Sequence, residues 1–462
     1  MNTGLRNPSI VVLFLAAFLG TLCSYSEGYA QMTVSELIGS SVDQVDDRYR
    51  NVADAMVLFQ RGNAAATLSM LQDSVKQHPE LPPAEVMFAH LCFGSNQLKP
   101  GRDILQRGAV VASSDPEVWN MLADLQLREG HLAEAEILFK KGALVAADFQ
   151  GNPKRRLRQL SNAHAGAALT NEQRGLWREA EPHLLAWQQI APNNEEIVSR
   201  LAVVLMNTAR FDEARKMLDQ RRAMNPKSAP AEVVIGTAYE RLGKHAEARE
   251  AMLESVKKYP NDFETRIAVA RWGLGSGEIA LALESAAAAE ALDKTSFLPE
   301  LIVGQAHYLN GEFAKSEATF QKVYQSKPAN FDAVNGLALS ILAQEDASRY
   351  SMGREYAELL ARTNNDLKTV QGRQAATLLA WALHRTGRGA DAQRLITGVL
   401  SSGPVSAEGA YFAATIYSSQ GEKQMAQEAV TKALASSKSF PYHVQAGQLQ
   451  EALRQTEEKV AR

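Results

Sequence analysis

Residues 231–260 read AEVVIGTAYERLGKHAEAREAMLESVKKYP. Ile235, Gly236 and Tyr239 stand at i, i+1 and i+4, an apolar helical stripe. Gly243 ends that helix, because glycine enters the left-handed conformation of a helix C-terminus without a Cβ penalty. Ala248, Met252 and Ser255 then recur at helical spacing, which predicts a second helix. Pro260 lacks an N–H and stops it. Gly236 and Ala248 are small, so the two helices can approach closely. Each helix spans only about 13 residues, marginal alone in water, so its stability must come from packing on its neighbours.

The same pattern recurs outward from this hairpin every 34 residues. Gly175, Gly243, Gly277 and Gly311 lie on one grid, with Ala209 in the missing place. Pro192, Pro226, Pro260 and Pro328 lie on a second, with Lys294 in theirs. Ala180, Ala214, Ala248 and Ala282 lie on a third, followed by Ser316. Three interleaved series with one spacing indicate a repeated structural unit.

The pattern resembles the tetratricopeptide repeat family. Unit 229–262 carries that family's residues at Gly236, Tyr239, Gly243, Ala248 and Pro260, and unit 116–149 at Trp119, Leu122, Ala123, Gly130, Ala135 and Phe139. Units 161–194, 195–228, 263–296, 297–330, 373–406 and 407–440 match comparably, while 48–82 and 83–115 are degraded. The resemblance implies an all-α, right-handed superhelical solenoid of about ten to eleven helix–turn–helix repeats over residues 48–440. Residues 31–47 precede the array, and the polar segment 441–462 reads as a capping helix. Two spacings depart from the grid. Gly130 to Gly175 leaves 11 extra residues, placed near 149–160, and Gly311 to Gly387 leaves 8, placed in a longer turn near 344–353 of unit 331–372.

The N-terminus reads as a targeting segment. Arg6 precedes an uncharged, mostly apolar run from Ile10 to Leu22, too short to span a bilayer, and then Gly28, Tyr29 and Ala30. Residues 1–30 are therefore expected to be a signal peptide cleaved after Ala30, which places the chain in the periplasm or outside the cell. Membrane contact is expected only through an uncleaved leader. Cys23 and Cys92 are the only cysteines, so there is no disulfide framework, and Cys92 lies in an apolar stretch that suits a buried structural thiol. The net charge of −3 provides no broad positive field for a phosphate backbone, so nucleic acid is not an expected partner.

No HExxH, CxxC or Gly-x-Ser-x-Gly motif occurs, so no metal, cofactor or enzymatic activity is expected. Gly273, Gly275 and Gly277 in WGLGSGE read as a loose helix end rather than a phosphate loop, because a helix and not a strand precedes them. Lys154, Arg155, Arg156 and Arg158 form a basic cluster at the start of an elongated helix running toward Gln173. It reads as a solvated face or, alternatively, as a contact for an acidic partner.

The family resemblance implies a further candidate. Positions 2, 5, 9 and 12 of each first helix share a stripe about 130° from the core stripe, at about 100° per residue. In the family this stripe lines the concave, peptide-binding surface. Here it contains Ser199, Val203 and Met206; Val233, Thr237 and Glu240; Ile267, Arg271 and Leu274; and Leu301, Gln305 and Tyr308. The row Val233, Ile267, Leu301 reads either as an exposed apolar strip or as side chains packed on neighbouring helices. The family's Lys and Asn clamp for chaperone C-termini is absent at positions 5 and 9. A non-enzymatic scaffold of the cell envelope, binding a partner protein or peptide in this groove, is the expected function. A carbohydrate or small-molecule module of a secretion system, stacking on Trp381, Trp272 or Tyr308, is the alternative.

Overall fold

The computed structural model describes residues 32–39, 41, 42, 44–436 and 440–461, so the expected leader lies outside the described residues. Among them the chain is all-α, without strands, and consecutive helices pair into hairpins in a repeat arrangement. The described residues form two compact units, one up to Ser228 and one from Ala229 onward. No described helix is long and apolar enough to cross a membrane.

The second unit contains the hairpin of residues 231–260. Helix Ala231–Arg241 ends just before Gly243, whose φ of 71° is left-handed, and helix His245–Lys258 returns against it. A Cβ on Gly236 would lie 3.1–3.3 Å from Met252, the Ala248 carbonyl and Ala251, so the small residue sets the close approach. Asp262 then caps helix Phe263–Ser276, its Oδ1 accepting the Thr265 N–H at 3.0 Å. Gly277 closes that helix with φ 81°, so WGLGSGE is a helix end. The same construction continues through Leu298–Leu309 with Phe313–Ser326, Val370–Arg385 with Gly389–Ser402, and Ala407–Ser419 with Lys423–Leu434. Between Phe331–Ala343 and Tyr350–Thr363 the turn contains a short 3-10 segment, Ala347–Arg349, capped by Asp346. Phe320 is wedged between Gly304 and Gly336, where added Cβ atoms would come within 2.9 and 2.3 Å of its ring. The terminal helix His443–Ala461 packs on the last hairpin.

The first unit stacks five such hairpins, from Arg50–Gln60 with Ala64–Gln77 to Glu195–Asn207 with Phe211–Met224. Its extra residues lengthen helices rather than loops. Leu132–Asp148 has 17 residues and Pro153–Gln173 has 21, against 14 and 13 in the next two helices, Trp177–Ile190 and Glu195–Asn207. Ala209 fills the glycine place of its repeat and still adopts φ 63°. Cys92 is a free, buried thiol, and burial pushes its pKa up to about 11, which suits packing rather than reactivity.

The basic cluster does not form one solvated face. Lys154 and Arg158 are exposed, but Arg155 is 2% exposed. Its guanidinium donates to Asp115 at 2.6 and 2.8 Å and to Glu117 at 2.8 and 3.2 Å. His90 Nε2 lies 2.9 Å from the other Glu117 oxygen. The long helix carries Arg155 inward to two carboxylates at the start of Pro116–Arg128, so its charge is already neutralised within the unit. Burial would raise the pKa of Glu117, but hydrogen bonding to His90 and the charge of Arg155 outweigh it and hold the carboxyl at about 2.

Candidate functional site

The helices of the second unit line a half-open cavity of about 1120 Å³. Leu309, Leu339, Leu400 and Val405 supply apolar wall, and Asn335, Gln374, Glu408 and Lys432 are among its polar groups. This composition, mostly apolar with a few converging polar groups, is typical of ligand sites.

Three of the predicted groove residues, Leu274, Gln305 and Tyr308, line this cavity. Gln305 is exposed and Leu274 half-buried. Tyr308 is buried, and its hydroxyl donates to Glu408 Oε1 at 2.7 Å, joining residues 100 apart in sequence. Thr237 is half-buried and its hydroxyl donates to the Val233 carbonyl, while Arg271 is exposed. In the first unit Val203 is half-buried and Met206 buried.

The expected apolar row is not a surface strip. Ile267 is 2% exposed and packs with Ala270, Ala286, Ala289 and Ile302. Val233 lies with Met252, Val269 and Leu281, and Leu301 with Phe320, Val323, Ala333 and Leu337. Each contacts the next hairpin as well as its own, so a stacked neighbour covers position 5.

The aromatic candidates for sugar stacking are also engaged. Trp381 is 4% exposed and stacks on Phe412 at 4.3 Å. The Trp272 indole N–H donates to Glu240 at 3.1 Å.

Two residues of the site escaped the sequence reading, and both lie on the stripe it defined. Asn335 is position 5 of unit 331–372, the polar successor to Val233, Ile267 and Leu301. Glu408 is position 2 of unit 407–440. Burial pushes the Glu408 carboxyl up to about 7, although the Tyr308 hydrogen bond pulls the other way. Tyr442 is buried beside this pair, and its hydroxyl makes no hydrogen bond of good geometry. Among the described residues no group of three or more His, Cys, Asp or Glu side chains is arranged to hold a metal ion.

No curated protein sequence matches the chain. Among solved structures, the chain is similar to yeast Tom70, at 12% identity and TM-score 0.41, with 89% of this chain and 96% of that one covered. It is similar to the APC/C hetero-tetramer Cut9-Hcn1 at 13% identity and TM-score 0.40, covering 88% and 90%. The P58(IPK) TPR domain aligns at 15% identity and TM-score 0.26, covering 90% and 99%. At these values nothing about partner or pathway transfers. Residues 199–263 match the tetratricopeptide repeat family model, and helical hairpins closed by left-handed glycines continue the repeat arrangement on both sides of that match.

Proposed function

We propose that the protein is a non-enzymatic scaffold of the cell envelope that holds a peptide segment of a partner protein in the cavity of its second unit. The reading rests on the cavity itself. It is larger than the roughly 300–1,000 Å³ usual for small-molecule sites, and successive first helices line it with residues of the concave stripe, among them Leu274, Gln305, Tyr308, Asn335 and Glu408. A linear ligand laid across stacked repeats meets one such residue per helix, which is how a helical array reads an extended segment. Location in the envelope rests on the apolar run and the small residues before Gln31.

Both parts have direct tests. Intact mass of the protein from its native envelope is expected to give a chain beginning at Gln31, and a full-length form would remove that part. A photo-reactive side chain at Gln305 or Gln374 is expected to cross-link a partner polypeptide. The same probe at Leu144, an exposed residue of the first unit, is expected not to. Cross-linking at Leu144 alone would move the site out of the cavity.

A further inference from the structure

Two polar groups on the cavity wall keep hydrogen-bonding capacity that no described residue uses. The Asn335 side chain is 8% exposed, lines the cavity and has no hydrogen-bond partner among the described residues. A carboxamide offers two donors and one acceptor. Glu408 uses Oε1 to accept the Tyr308 hydroxyl; its second oxygen has no partner, and no Lys or Arg pairs with it among the described residues. Asp332 and Glu428 add two further carboxylates to the lining, against the single ammonium of Lys432.

We propose that the cavity takes an extended peptide bearing a lysine or arginine side chain, with Glu408 as counter-ion and Asn335 clamping a peptide group. This rests on the peptide-binding reading given above. A carboxamide matches a peptide group, donating to its C=O and accepting from its N–H. A cationic head beside Glu408 supplies the charge that the wall lacks, while Leu309, Leu339 and Leu400 cover the aliphatic stem. An acidic peptide would place like charges together, and a sugar ring would find Trp381 already covered by Phe412. Burial holds the Glu408 carboxyl near neutrality in the free protein, so an arriving cation favours its ionised form. Tyr308, Tyr442, Asp332, Glu428, Lys432 and, in an adjoining pocket, Arg373 are the other titratable groups around it.

The test uses three fluorescent pools of acetylated, amidated hexapeptides with Lys, norleucine or Glu fixed at one place, titrated onto the purified protein. The Lys pool is expected to bind at least tenfold tighter than the norleucine pool, and the Glu pool weakest. Glu408→Gln retains an acceptor for Tyr308 and is expected to abolish the Lys advantage. Asn335→Leu is expected to weaken the Lys and norleucine pools alike, at least fivefold, with unchanged melting. Lys99→Ala, at an exposed position of the first unit, is expected to leave the Lys advantage intact. Equal binding of all three pools, abolished by Asn335→Leu, would overturn the basic-residue inference and keep the peptide reading. Binding indifferent to both Asn335→Leu and Glu408→Gln, or no binding at all, would overturn both.

Discussion

A buried polar cluster in the first unit and the polar groups of the cavity in the second are built in opposite ways. Around Arg155 in the first unit, a buried guanidinium meets Asp115 and Glu117 in four hydrogen bonds, and Glu117 also meets His90. Around the cavity of the second, Asn335 has no partner, Glu408 has one for two oxygens, and Tyr442 has none of good geometry. A satisfied network spends its bonding capacity on holding helices in register. An unsatisfied one retains that capacity for whatever enters. Charge clusters visible in sequence therefore need their partners counted before they are read as binding surfaces.

The sharpest way to break this comparison is Arg155→Met. Removing the guanidinium leaves Asp115 and Glu117 buried without their cation, a loss of about 3–5 kcal/mol. Hydrogen exchange is expected to loosen helices Pro116–Arg128 and Pro153–Gln173 while the second unit stays protected. The pH profile carries a sign. Glu117 is held at about 2 against an ordinary 4.5, so its contribution is fully present above pH 4.5 and lost as pH falls toward 2. An unchanged melt in the variant would show the network to be ornamental.

Ile267→Glu comes next. At 2% exposure the carboxylate enters the core among Ala270, Ala286, Ala289 and Ile302, and a loss of about 2–4 kcal/mol is expected. Chemical denaturation measures it, and a variant that melts like the parent would return position 5 to the surface.

A smaller effect, opposite in sign, is expected from Glu408→Gln. Here the folded pKa, about 7, lies above the ordinary 4.5, so the protonated group fits the fold and stability falls as pH rises from 4.5 through 7. Glutamine removes that loss. The variant is expected to be more stable by about 1–3 kcal/mol at pH 8 and equal to the parent at pH 4. Equal stability at both values would show that Glu408 ionises freely. The smallest change is Ala209→Gly, which relieves a left-handed alanine and is expected to add about 0.5–1 kcal/mol, read as a modest rise in Tm.

What the sequence made legible was local. The glycine grid, the proline stops and the small residues at helix contacts each act within one hairpin, and every grid glycine from Gly175 to Gly311 adopts the left-handed φ its place requires. Position 5 stayed open between groove and core because the groove reading treats one repeat at a time, whereas burial there comes from the next hairpin. Arg155 looked like surface because its carboxylates lie 38 and 40 residues earlier, and a lengthened helix brings them together. The Tyr308–Glu408 bond spans 100 residues and depends on curvature accumulated over intervening hairpins, which no local pattern encodes. Asn335 and Glu408 were nonetheless within reach, because extending the position 5 and position 2 series by a few repeats finds them.

The contrast between the units is tested most directly by hydrogen exchange on the purified protein, free and saturated with the tightest lysine-bearing hexapeptide. Slower exchange is expected in Leu298–Leu309, Phe331–Ala343 and Ala407–Ser419, with Pro116–Arg128 and Pro153–Gln173 unchanged. Protection confined to the first unit, or absent from Ala407–Ser419, would contradict the account.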